Sequence, residues 1–273
     1  LARRKGPGEI AYTLVIGGLA TLALVILIGP VLIVLATSVT ESRSIRFPPT
    51  GFSVQWYAQL LDPIRSSQIH RAASNTLDVA ALSALLATIL GTLAALALAR
   101  SATARSRVLD AFFMSPLVLP GLTFGLAALV YFTLLGFRPL LELLIAGHLI
   151  VIAPFVRRTV GASLSQLDPA LLDASASLGA GRFHAFRRIT LPLIAPGIGP
   201  GAFLAFMASV NNVPVSLFLS SARTDMLPIR MWGMMESTLD VRVAAVSGLL
   251  IAASFVLMVV MERLVGLTRR MRG

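Results

Sequence analysis

Five stretches of this chain, residues 10–40, 79–99, 111–137, 189–222 and 243–261, contain no Asp, Glu, Lys or Arg. Each approaches or exceeds the roughly 20 residues that a helix needs to cross the hydrocarbon core of a bilayer. Nothing else in the chain limits its fold as strongly. Composition agrees, since 56% hydrophobic and 13% charged residues with mean hydropathy +0.86 lie far outside the soluble range. A sixth uncharged stretch, 143–156, is shorter and carries His148 and Pro154.

Charge placement decides whether that sixth stretch crosses. With six spans and the N-terminus inside, 15 basic residues lie on the cytoplasmic side and 8 outside; without the fourth span the division becomes 9 and 14. The inside group comprises Arg3, Arg4, Lys5, Arg100, Arg105, Arg107, Arg157, Arg158, Arg182, Arg187, Arg188, Arg263, Arg269, Arg270 and Arg272. Positive residues stay in the cytoplasm, so six spans are expected. The fold class is all-α integral membrane, a single transmembrane domain over residues 1–273 with both termini cytoplasmic. Its spans are expected at about 10–38, 73–99, 111–135, 141–157, 194–220 and 243–265. An external segment covers 39–72 and a cytoplasmic loop 158–193. The first apolar run is too long for a signal h-region and lacks a cleavage site followed by polar sequence, so it is read as a retained span. In the external segment Pro48-Pro49-Thr50-Gly51 forms a turn and Ser53–Tyr57 opens a short helix. Trp56 and Tyr57 suit the headgroup zone.

The loop before the fifth span is polar and arginine-bearing: DASASLGAGRFHAFRRITLP at 173–192. Asp168 is expected to cap its first helix with Pro169 at the first helical position, and Gly179 to end it in the left-handed conformation. A second short helix then leads into Leu191-Pro192. This pattern resembles the cytoplasmic loop of permease subunits of type I ABC importers: Glu-Ala-Ala, three residues, Gly, about nine residues, an apolar residue, one residue, Leu-Pro. Asp173-Ala174-Ser175 stands where Glu-Ala-Ala is usual, Gly179 holds the glycine position, and Ile189, Leu191 and Pro192 close it. Asp173 is one methylene shorter than Glu, and Ser175 replaces an alanine. GFSVQWYAQLL at 51–61, SNTL at 74–77, SPLVLPG at 115–121 and VPVSLFL at 213–219 resemble the spermidine/putrescine-type branch. The resemblance runs from about residue 10 to 267.

The resemblance implies that Asp173, Ala174, Ser175, Gly179, Leu191 and Pro192 couple the chain to ATPase subunits. It also implies two such ATPases, a second and non-identical permease subunit, an external or periplasmic solute-binding protein, and residence in the bacterial inner membrane. ATP and Mg would be held by the ATPases, so no cofactor is expected in this chain.

The residues themselves argue against an enzyme. The only lysine is Lys5 and no G-x-x-x-x-G-K-[ST] occurs, so the chain has no P-loop. Cysteine is absent, and His70, His148 and His184 fall in no metal-ligand spacing. No nucleophile elbow is present. The expected catalytic and metal residues are therefore none. A net charge of +11 could indicate nucleic acid, but the arginines cluster in short links between apolar runs. The five uncharged stretches hold no Asp, Glu, Lys, Arg or His, which argues against an ion-coupled transporter. The alternatives from other classes are a motor-independent channel or facilitator and a structural membrane subunit. A channel has no need of a docking loop.

Polar residues within spans are the candidate pathway contacts. Asn211 and Asn212 sit in the fifth apolar run just before Pro214, and either bridge helices or face a wet path. Ser74 and Asn75, with Thr76, lie at the outer mouth of the second span, where they cap the helix or meet solute. His148 reads as a packed, hydrogen-bonded helix residue. Gly121, Thr123 and Gly125 allow close helix packing. Pro192, Pro196, Pro200 and Pro214 each disfavour a straight continuous helix. The expected solute is polyamine-like or another small polar compound.

Overall fold

The computed structural model describes residues 7–99, 103–137, 141–238 and 240–270. Arg3, Arg4, Lys5, Arg100, Arg138 and Arg272, which entered the charge count, lie outside the described residues. Among the described residues all regular elements are helices. Five of them are long and apolar enough to cross a membrane, and six if one bent pair counts as a span. The chain divides into two compact units, Leu1–Ser66 with Met234–Ala253 and Ser67–Gly233 with Ser254–Gly273.

The first unit begins with α1 (Pro7–Ser38), whose stretch Tyr12–Ser38 has a mean hydropathy of 2.9. Apolar side chains emerge all round it, as expected of a helix solvated by lipid. Thr13 and Thr21 donate their hydroxyls to the carbonyls of Glu9 and Gly17, so these hydroxyls need no water. After α1 the chain doubles back. The Glu41 amide donates to the Gly51 carbonyl at 3.0 Å and the Ser53 amide to Val39 at 2.7 Å. The short helix α2 (Gln55–Leu61) follows. Trp56 donates its indole N–H to the Thr40 carbonyl at 2.8 Å, and the Tyr57 hydroxyl donates to Ser38 Oγ at 2.8 Å. Both aromatics thus brace the end of α1, a role beyond the interfacial one expected.

The second unit contains α3 (Ser67–Ala99), α4 (Ala104–Met114), α5 (Gly121–Leu134), α6 (Leu141–Leu164), α7 (Pro169–Ser177), α8 (Arg182–Ala185), α9 (Leu191–Val210) and α10 (Val213–Leu219). Two more helices, α11 (Leu227–Thr238) and α12 (Arg242–Arg270), contribute to both units. Its core is the mutual packing of α3, α6 and α9 through Ala84, Ala87, Ala95, Ile152, Val156, Val160, Ile194 and Ala205. Small residues on α3 let the backbones approach, which replaces the hydrophobic driving force that lipid cannot supply. At Gly91 a Cβ would stand 3.1 Å from the Ala153 carbonyl oxygen. A second cluster, Val79, Leu144, Val215, Leu219 and Met226, is covered by Phe124, Leu129 and Phe132 of α5.

Three features differ from the sequence expectation. The stretch 111–135, expected as one span, is a bent pair: Ala104–Leu117 and Gly121–Leu134 meet at 104°. Pro120 explains the bend, because it cannot donate to a continuing helix and disfavours helical backbone in the residue before it, whereas Pro116 lies within the short turn Ser115–Leu117. Second, α3 starts at Ser67, so Ser74, Asn75 and Thr76 lie inside it and cannot be its N-cap. Third, α9 runs unbroken through Pro192, Pro196 and Pro200. These prolines are four residues apart and share one face, and a π-helical turn at Phe186–Thr190 precedes them, so the missing donors are absorbed without a break.

Candidate functional site

The loop between α6 and α9 is built by capping at both ends of α7. Asp168 accepts a hydrogen bond from the Ala170 amide at 2.9 Å, and Pro169 occupies the first turn. At the other end Gly179 has φ +77°, its amide donates to Ala176 at 2.9 Å, and the Ala180 amide donates to Ser175 at 3.1 Å. That pair of bonds is a Schellman stop, which requires the left-handed residue that glycine provides at least cost. Asp173 and Ala174 face outward on α7, whereas Ser175 is buried. Leu191 and Pro192 stand apart, at the start of α9 beyond the π turn. Leu178 is 87% exposed and Phe183 75% exposed, two large apolar side chains flanking the glycine turn. His184, Arg187 and Arg188 surround Phe183 with positive and polar groups.

The fifth apolar run is broken where Asn211 and Asn212 stand. Helix α9 ends at Val210 and α10 starts at Val213. Asn212 is 8% exposed and accepts from the Val215 amide at 3.1 Å, so it is the N-cap of α10. Asn211 is exposed and donates its amide to the Met207 carbonyl at 3.0 Å. The two amides therefore divide. One shapes the joint and the other lies open beside it. Pro214 follows in the first turn of α10, where its missing N–H is harmless.

At the start of α3, Ser74 donates to Asp78 at 3.4 Å. Asn75 donates to the backbone carbonyls of Asp225 at 2.9 Å and Arg223 at 3.3 Å, tying down the segment before α11. Thr76, buried, accepts the Leu227 amide at 2.8 Å and so caps α11 from another helix. Asp225 pairs with Arg230 at 3.8 Å. Burial pushes its carboxyl above the ordinary range, against the opposing charge of Arg230 and the Met226 backbone. In the other unit Asp240 receives the Arg242 side chain at 2.9 Å and its backbone amide at 2.9 Å. Burial opposes its ionisation, but these bonds outweigh it and hold the carboxyl below the ordinary range.

Two sets of partners at the site escape sequence reasoning. His148 of α6 is fully buried, with Nδ1 at 2.7 Å from Ser209 Oγ and Nε2 at 3.2 Å from Ser216 Oγ. Arg157 of α6 pairs with Asp110 of α4 at 2.6 Å, one residue before the loop region begins. In both cases the signal was a polar residue at the edge of, or inside, an apolar run, which must find a partner.

The capped polar hairpin and the broken apolar helix do not by themselves name a function, and the relatives do. The family model described as binding-protein-dependent transport system inner membrane component matches residues 73–270. The chain belongs to this family. It is a permease subunit of an ABC importer, a multi-pass protein of the inner membrane. The permease is 30% identical over 244 residues to the spermidine/putrescine transport system permease protein PotC of Escherichia coli K12, covering 89% of this chain and 90% of that one. It is 30% identical over 235 residues to the putrescine transport system permease protein PotI of the same strain, covering 83% and 82%. Among solved structures, the bacterial alginate ABC transporter in complex with alginate pentasaccharide-bound periplasmic protein shares its fold, with a TM-score of 0.70, 18% identity and 96% coverage of both chains.

Proposed function

We propose that the permease forms half of a translocation pathway driven by two separate ATPase subunits, completed by a second, non-identical permease subunit and loaded by an external solute-binding protein. In this reading residues 1–273 act as one domain crossing six times, with the bent α4–α5 pair as one crossing, 39–72 external, and 158–193 and both termini cytoplasmic. The observation that carries it is the hairpin at 168–185: rigidly capped, attached directly to α9, and bearing exposed Leu178 and Phe183. Apolar side chains presented on a polar loop mark a protein contact. ATP with Mg, bound on the ATPases, supplies the driving energy. The hairpin passes their movement to α9 through the continuous helix that starts at Arg182. Asp173, Ala174, Ser175, Gly179, Leu191 and Pro192 are the coupling residues, and the broken fifth span with Asn211 and Asn212 lines the path.

The solute is polyamine-like or another small polar compound. The relatives named for spermidine and putrescine support the first. Asp225 and Asp240 already hold arginines, whereas Asp78 beside Ser74 and Asn75 is exposed and, like Glu236, offers a carboxylate to a cation.

Topology is tested by single cysteines, since the native chain has none. A thiol at Ser177 should react from the cytoplasmic side alone, and thiols at Ser44 and Ser221 from outside alone. External labelling of Ser177 would remove the coupling loop from the account. The pathway is tested by two leucine substitutions with opposite expectations. Asn212→Leu should lower the stability of the complex by about 1 kcal/mol through loss of the α10 cap. Asn211→Leu should leave stability near the native value and reduce uptake several-fold, the scale of one neutral polar contact. Unchanged uptake in Asn211→Leu would assign that amide no part in the path.

A further inference from the structure

We propose that His148 is a positioning residue for transport, which fixes the angle between the two arms of the broken fifth span by bonding one nitrogen to each arm. This rests on the reading of that span as part of the pathway. Ser209 is the penultimate residue of α9 and Ser216 lies in the first turns of α10, so the imidazole straddles the Asn211–Asn212 joint from α6. A neutral imidazole offers one donor and one acceptor, and serine hydroxyls turn to meet either, so both bonds form in either tautomer.

The packing explains why the link is needed. Arm α10 is seated on α5 and α6: a Cβ at Gly125 would lie 2.7 Å from the Pro214 carbonyl oxygen, and one at Gly147 2.6 Å from Leu219 Cδ1. Arm α9 is seated further along α6, where a Cβ at Gly197 would lie 2.6 Å from the Thr159 carbonyl oxygen. The Asn212 side chain caps α10 and the Asn211 side chain bonds back to α9, so neither side chain ties arm to arm; Asn212 reaches α9 only through the local bond from its backbone amide to the Ser209 carbonyl. His148 ties both to a third helix. If the imidazole were removed, each serine could turn to a carbonyl of its own helix one turn back, as serines in apolar helices do. The arms would then lose their common anchor without leaving a buried polar group unpaired. The consequence is a larger loss of transport than of stability.

The test uses the assembled transporter with spin labels at exposed Leu204 and Leu217, one on each arm. His148→Leu should broaden the label distance distribution and lower uptake per assembled complex roughly tenfold, the scale of two neutral hydrogen bonds. Ser209→Ala and Ser216→Ala should each do so less. His148→Gln, whose terminal amide reaches the Nε2 position, should regain part of the uptake and the narrower distribution. An unchanged distribution in His148→Leu, or a broadened one with native uptake, would overturn the proposal. Should His148→Leu fail to assemble, the two alanine variants remove one hydroxyl each at nearly constant volume and are judged by the same criteria. Absence of ATP-dependent uptake in the native complex would count against the importer reading instead, because the label distance is read independently of uptake.

Discussion

Gly179→Val is expected to abolish solute uptake while leaving insertion and assembly of the permease intact. At φ +77° a β-branched residue is strained by about 1–2 kcal/mol or more. Nothing lies within 4 Å of the position a Cβ would take, so the effect is one of backbone conformation alone. The strained residue can escape only by opening the Schellman stop, which frees the Ala176 and Ser175 carbonyls and changes the course of the chain between α7 and α8. ATPase activity should then run without uptake. Gly179→Asn, which tolerates the left-handed region, should retain part of the coupling. Native uptake by Gly179→Val would show that the glycine does not set the hairpin geometry.

Gly125→Val is expected to prevent assembly altogether. Its Cβ would stand 2.7 Å from the Pro214 carbonyl oxygen and 2.8 Å from Phe218 Cδ2, and backbone cannot yield as a flexible side chain can. Overpacking of this kind costs about 1–3 kcal/mol even where neighbours relax. Here α10 must leave α5, taking Val215 and Leu219 out of the second core cluster. The yield and thermal midpoint of the purified complex measure it. Gly17→Val on α1, where nothing lies within 4 Å, is the control and should behave as native.

Local chemistry was legible in the sequence, and long-range pairing was not. Asp168, Pro169 and Gly179 announce α7 because caps depend on a few adjacent residues, and each holds its expected place. Gly121 and Gly125 likewise serve close packing as expected, and His148 is packed and hydrogen-bonded. Its partners, 61 and 68 residues away, carry no local mark, so their identity needs the fold. Ser74 and Asn75 suggest a helix start because polar residues before an apolar run usually cap it, but α3 begins two turns earlier, at Ser67. The prolines misled in both directions. Pro120 stands at the bend of the α4–α5 pair inside an uncharged run that hydropathy reads as one span, whereas Pro192, Pro196 and Pro200 leave α9 continuous. What distinguishes them is the phase of the missing donors and the preceding π turn, which composition does not record.

Whether a separate ATPase drives this permease is decided by purifying the chain together with its partner subunits, reconstituting them in liposomes with ATP enclosed, and measuring uptake of spermidine or putrescine presented by the binding protein. Uptake should require ATP and the binding protein and should be lost in Gly179→Val at native ATPase levels. Flux that proceeds equally without ATP would make the chain a facilitator and contradict the account.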